Sequence, residues 1–187
     1  MRIVGGTARG LKLADLGQGD TAAHLRPTTD RVRESIFNLL INGTHGNPIP
    51  GARVLDLFAG TGALGLEALS RGAAHASLVD DGAAAQALMR RNIALMRGAN
   101  AQILRQNAAR LPSNPAPAYG LIFLDPPYGK ALGEAALHAA QAGGWIAPGA
   151  MIVWEENTQP LIPDFLTRID QRKYGGTLVT LLRAVGG

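Results

Sequence analysis

Two short runs of residues carry reactive chemistry. The first is Asp125-Pro126-Pro127-Tyr128, which follows the apolar run YGLIFL at 119–124. Two prolines fix φ and remove two amide donors, so the chain is stiff where it leaves a strand. A carboxylate and an aromatic ring are therefore held on one rigid corner. An exocyclic amine on a nucleobase is a poor nucleophile, because its lone pair is delocalised into the ring. The Asp125 carboxylate and the Pro126 carbonyl can accept hydrogen bonds from both amine hydrogens, which favours a pyramidal nitrogen with its lone pair free. Tyr128 can stack on the base, worth about 1–3 kcal/mol. Placement of the reacting atoms supplies most of such a catalysis. The catalytic candidates are Asp125, Pro126, Pro127 and Tyr128.

The second run is Ala59-Gly60-Thr61-Gly62-Ala63-Leu64-Gly65, spaced G-x-G-x-x-G. Absent side chains let a ligand approach the backbone, and the start of a following helix offers unpaired N–H groups. Asp80 closes the next strand-like run, where a carboxylate can accept hydrogen bonds from ribose hydroxyls. An adenosine from either a nicotinamide dinucleotide or S-adenosylmethionine fits that pattern. Asp56, four residues before Gly60, separates them: a carboxylate repels a pyrophosphate and attracts the ammonium and sulfonium of the methionine moiety. The expected cofactor is S-adenosylmethionine.

These runs need a scaffold. From residue 53 the pattern alternates: strand-like RVLDLF (53–58), ASLVD (76–80), QILR (102–105), YGLIFLD (119–125) and AMIVWEE (150–156), with helix-like segments between the first three, the proline-rich linker LPSNPAPA before the fourth and an alanine-rich helix after it. Such alternation predicts a parallel sheet covered by helices on both faces, an α/β fold. The last stretch, FLTRIDQRKYGGTLVTLLRA, reads as two strands around Tyr174-Gly175-Gly176, an antiparallel hairpin closing the sheet. Ahead of this region, RIVGGTARGLKL reads as a β-hairpin. In RPTTDRVRESIFNLL, the residues Val32, Ile36, Leu39 and Leu40 form one helical face. Pro27 to Asp30 signal the start of that helix and Gly43 its end.

Composition narrows the classes further. The 187 residues contain no cysteine, which excludes disulfides and thiolate metal sites, and the four histidines are too scattered to suggest a metal centre. No run suggests a membrane span or signal peptide, so a cytoplasmic protein is expected. Net charge is +4, unevenly spread: residues 131–164 hold four acids and no base, residues 165–187 four bases and one acid. The first thirteen residues carry Arg2, Arg9 and Lys12 with no acid. A basic edge of this kind suits a polyanion.

DLFAGTGALGLEALSRGA followed by LIFLDPPYGK resembles the amino-methyltransferases that use S-adenosylmethionine. MRIVGGTARGLKL with RPTTDRVRESIFNLL narrows the resemblance to the bacterial 16S ribosomal RNA guanine-N2 methyltransferases (the RsmD family), over nearly the whole chain. The resemblance implies a Rossmann-like class I methyltransferase domain over 46–187, preceded by an RNA-facing hairpin and helix over 1–45. It implies methyl transfer to N2 of a guanine, guanine 966 in that family, within a small ribosomal subunit particle. Asp56, Gly60 and Gly62 would line the methionine and ribose of the cofactor, Asp80 would hold the ribose, and Asn107 with Ala108 would meet the adenine. Asp125 to Tyr128 would bind the target guanine. The phosphate-contact candidates are Arg2, Arg9, Lys12, Arg26, Arg31 and Arg33; a monomer without metal or membrane partner is expected. Asp80 stands where many relatives carry Glu, and Asp81 beside it is a second candidate. DNA adenine methylation, a nicotinamide-dependent oxidoreductase and a non-catalytic RNA-binding factor are the competing readings.

Overall fold

The computed structural model describes residues 1–15 and 29–186. Among these residues the expected alternation appears in full. The elements are α1 (Asp30–Asn42), β1 (Arg53–Leu57), α2 (Ala63–Ser70), β2 (His75–Val79), α3 (Ala83–Leu95), β3 (Ala101–Leu104) and β4 (Tyr119–Leu124). They continue with α4 (Leu132–Ala142), β5 (Ile146–Glu156), β6 (Leu166–Tyr174) and β7 (Thr177–Ala184). One sheet runs in the order β3-β2-β1-β4-β5-β7-β6. β1 to β5 are parallel, and β7 lies antiparallel between β5 and β6. This is an α/β Rossmann-like fold with a C-terminal antiparallel hairpin.

The strands are apolar on both faces because helices cover both. Leu55, Leu57, Ile122, Leu124, Ile152 and Trp154 face the α4 side. Val54, Leu121, Phe123, Met151 and Val153 face α1, α2 and α3. This alternation is the period of two that a pleated strand imposes. Every strand from β1 to β5 then runs its C-terminal end to one edge of the sheet, which is where the chemistry-bearing residues emerge.

Two local features differ from the expected pattern. The α1 N-cap is Thr29, whose side chain accepts from the Val32 amide, and Gly43 is the C-cap, as the start and stop signals indicate. The buried stripe, however, is Arg33, Ile36, Phe37 and Leu40, with Val32 and Leu39 only half-buried. Phe37 turns inward to meet Phe123, ring centroids 5.5 Å apart. Arg33 can follow it because acids meet it inside.

The lead hairpin is also less regular than two strands. It has one antiparallel bridge, Arg2 to Lys12, with Ile3 N–H donating to Leu11 O at 2.9 Å. The amides that would extend the ladder go to α2 instead. Val4 and Gly5 each donate to the Glu67 carboxylate at 2.8 Å, and Ala8 donates to Ser70 Oγ at 2.9 Å. Ile3 and Leu13 pack on Leu66 and Met96. The segment is a strap tied along α2, because two competing acceptors on that helix capture its donors.

Candidate active site

A cleft of about 590 Å³ opens at the C-terminal edge of the sheet. β1 delivers Asp56, which is 1% exposed. Its Oδ2 accepts from the Gly65 amide at 2.9 Å, in the first turn of α2. Gly65 must be glycine for this approach, since a Cβ there would sit 2.4 Å from Leu78 Cδ2 and 3.3 Å from Asp56 Oδ2. Burial pushes the Asp56 carboxyl up to about 7; the Gly65 amide opposes the rise, and the anions of Asp125 and Asp80 add to it.

Asp80, at the end of β2, accepts from the Gly60 amide (Oδ2, 3.0 Å) and from the Gly82 amide (Oδ1, 2.8 Å). Burial raises its pKa, the two amides oppose that, and Asp81 adds to it. Each oxygen still has a lone pair for a hydroxyl. Asn107 Nδ2 donates to Asp81 at 2.8 Å and so bridges the loops after β2 and β3. The cleft wall takes in Asp56, Gly60, Asp80 and Asn107.

Two of the expected cofactor residues are placed differently. Gly62 adopts φ 77° at the N-cap of α2, and a Cβ there would strike Leu78 at 2.8 Å, so its Cα points into the core. It shapes the turn rather than the wall. The Ala108 methyl is buried in the α4-side core, leaving only backbone for a ring to meet.

The Asp125-Pro126-Pro127-Tyr128 corner lies on the same cleft. β4 carries it there from the middle of the sheet, beside the ends of β1 and β5: Leu124 is in register with Leu57 and with Trp154. The Asp125 amide donates to Leu57 O at 3.4 Å. Tyr128 Oη lies 3.4 Å from Thr177 Oγ1, at the start of β7.

Several wall residues escape the sequence patterns. Glu155, 2% exposed, lies near the end of β5 one position past the Leu124–Trp154 pair and thus beside Asp125. Phe58 takes φ 60°, a left-handed conformation uncommon for a bulky side chain. Nothing in the residue type signals that. Met1 also reaches the wall, and its Sδ accepts from Thr61 Oγ1 at 3.7 Å. Asn92 joins strap and glycine loop by donating to Ala14 O at 3.0 Å and Thr61 O at 2.9 Å. These hydrogen bonds join residues more than 30 positions apart, beyond the reach of local patterning.

The basic candidates separate. Arg2, Lys12 and Arg31 are exposed. Arg9 is exposed too, but in the strap turn beside Ala73 and Asn100, at the opposite end of the sheet from the cleft. Arg26 lies outside the described residues. Arg33 is fully buried, ion-paired to Asp30 at 2.8 Å and to Glu67 at 3.6 Å, and it donates to the Arg2 carbonyl. Its expected phosphate role is corrected: it is an internal cation holding strap, α1 and α2 together.

Among the described residues the cleft wall carries five carboxylates (Asp56, Asp80, Asp81, Asp125 and Glu155) and no lysine or arginine. That donor set suits a cationic ligand with a ribose and disfavours a pyrophosphate.

The model of the family described as Conserved hypothetical protein 95 matches residues 1–183. The chain belongs to this family. It is 41% identical to the Ribosomal RNA small subunit methyltransferase D of Escherichia coli K12, over 87% of this chain and 79% of that protein. The Haemophilus influenzae protein of the same name is 33% identical over 94% of this chain and 89% of its own. The solved structure of Escherichia coli yhhF superposes with a TM-score of 0.81 at 34% identity, covering 100% of this chain and 99% of that one. The resemblance to the small-subunit methyltransferase D family is thus borne out.

Proposed function

We propose that the chain transfers a methyl group from S-adenosylmethionine to the exocyclic N2 of a guanine in 16S ribosomal RNA, presented in a small-subunit particle in the bacterial cytoplasm. The family site, guanine 966, is the proposed target. One observation carries the reading: the acid-lined nucleoside cleft and the Asp125–Tyr128 corner are a single cavity. The names of the relatives supply the RNA.

Asp56 would face the positive end of the cofactor, Asp80 the ribose, and Gly60 with Asn107 the remaining wall. When bound, S-adenosylmethionine supplies an electrophilic methyl group on a sulfonium. The Asp125 carboxylate and the Pro126 carbonyl accept the two N2 hydrogens, orienting the nitrogen lone pair toward the donor side. Tyr128 stacks on the base and is itself steadied by Thr177. The proton leaving N2 passes to an Asp125 oxygen or to water. The base must leave its stack to enter, at a cost of a few kcal/mol. Residues 1–45 serve as the RNA-facing extension, with Arg2, Lys12 and Arg31 on phosphates and Arg9 reaching a more distant one; such interactions fix register without reading sequence. Every named group comes from one copy, so a monomer suffices.

The test is transfer of labelled methyl to small-subunit particles from cells lacking the protein, followed by mass mapping of the modified nucleotide. N2-methylguanine at one position is the expected result. Label on adenine, on DNA, or on nothing overturns the proposal. Thermal shift adds a quick check: S-adenosylhomocysteine raises Tm and NAD does not.

A further inference from the structure

We infer that the β6–β7 turn, with the loop after Tyr128, is a second phosphate-gripping rim that holds the RNA strand beside the target base; this rests on the RNA reading above. The cleft wall offers no lysine or arginine among the described residues. A polyanion brought to an acidic cavity needs its counter-charge nearby, on the rim. The sheet register puts bases there.

β5 runs toward the cleft and β7 runs away from it, so the turn between β6 and β7 stands at the cleft edge. Glu155 pairs with Val179, which pairs with Arg172; Glu156 pairs with Leu178, which pairs with Lys173. Registered partners share a face, so Arg172 lies on the Glu155 side of the sheet and Lys173 on the other. Two strand spacings, about 10 Å, separate each base from β5. Lys130 joins them from the catalytic loop. That loop is tied to the same corner by the Tyr128–Thr177 pair at 3.4 Å. Lys130 and Lys173 are exposed, and the Arg172 side chain is 57% exposed.

The acid closest to these bases on β6, Asp170, pairs with Arg172 at 3.1 Å. Arg172 is the exposed partner of that pair, 57% against 18% for Asp170, so its guanidinium can turn to a phosphate while Asp170 keeps the Gln171 amide it already accepts from. The planar fork of Arg172 then matches two phosphate oxygens. Arg2 and Lys12 of the strap and this rim lie on different elements, and a strand passing between them would carry its flipped base down to Tyr128.

β6 is also a sheet edge, where charge discourages strand pairing. The experiment separates the two roles. Arg172→Glu/Lys173→Glu and the milder Lys130→Ala are compared with the parent for S-adenosylmethionine affinity, KM and kcat on small-subunit particles, and solution mass. The double variant is expected to raise KM about tenfold or more with cofactor affinity unchanged. The slope of log KM against log salt should shrink by about 0.7–0.9 for each phosphate that is no longer neutralised. A folded variant with parental KM and salt slope overturns the rim, and self-association without a KM change assigns the charges to edge protection. Should the double variant not fold, Arg172→Gln/Lys173→Gln gives the same readout. If the parent itself methylates no particle, the functional reading fails separately, and filter binding of the same particles at two salt concentrations still decides the rim.

Discussion

The two ends of α2 treat buried carboxylates in opposite ways. Near its C-terminal end Glu67 is fully buried, accepts from the Val4 and Gly5 amides, and pairs with Arg71 at 2.8 Å and Arg33 at 3.6 Å. At its N-terminal end Asp56 is equally buried, yet among the described residues its neighbours are an amide and two more acids. Glu67 is met by cations of its own chain and works as glue. Asp56 keeps its demand for positive charge open, which is what a site for a cationic ligand requires. Burial alone therefore says little about an acid's role; the sign of what surrounds it decides.

The sharpest way to break this contrast is at the glue end. Arg33→Ala should cost about 3 kcal/mol or more of unfolding free energy, because it empties a fully buried site and removes one of the two cations facing Glu67, leaving Arg71 as the other. Denaturant titration measures it, and a change near zero would mean the knot is not stabilising. Replacing both partners, Arg33→Met with Glu67→Gln, should recover part of the stability.

At the other end Asp125→Ala should lower turnover about 100-fold or more, the scale of removing one hydrogen bond made in the transition state. Cofactor affinity should change much less, as read by calorimetry. Parental turnover on particles would remove Asp125 from the chemistry.

The smallest effect concerns pH. The Asp56 carboxyl is raised from 3.8 to about 7, so between those values the folded chain holds a proton that the unfolded chain has released. Its contribution to stability is full below about 4 and declines as pH rises toward about 7, without further decline above. Asp56→Asn should therefore be more stable than the parent at pH 8 in the ligand-free state. The cation-binding form is the ionised one. Affinity for S-adenosylmethionine should rise severalfold from pH 6 to pH 8, and Asp56→Asn should flatten that profile.

Much of the scaffold is legible in the sequence because its signals are local. Alternating apolar runs, the Thr29 start and the Gly43 stop lie within one element each, and the β1 to β5 strands fall within a few residues of the expected spans. Asp56, Asp80 and Asp125 are legible for the same reason: each sits at or just past the C-terminal end of a strand, and parallel strands end on one edge. Arg33 is not, because an arginine in a helix looks solvated until Glu67, 34 positions later, is folded against it. The orientation of Gly62 is not, because spacing cannot say which side of a turn faces a ligand.

What the order of residues determined by itself is the α/β alternation, the glycine turn and a stiff acidic-aromatic corner, since those depend on backbone preferences and period. Only the tertiary structure decided which acids are neutralised from within and which are left facing a cavity. It alone brought Glu155 beside Asp125, Thr177 to Tyr128, and the bases of β6 to the cleft edge. Charge acts through space over several ångströms, and spatial neighbours across a sheet have no fixed separation along the chain.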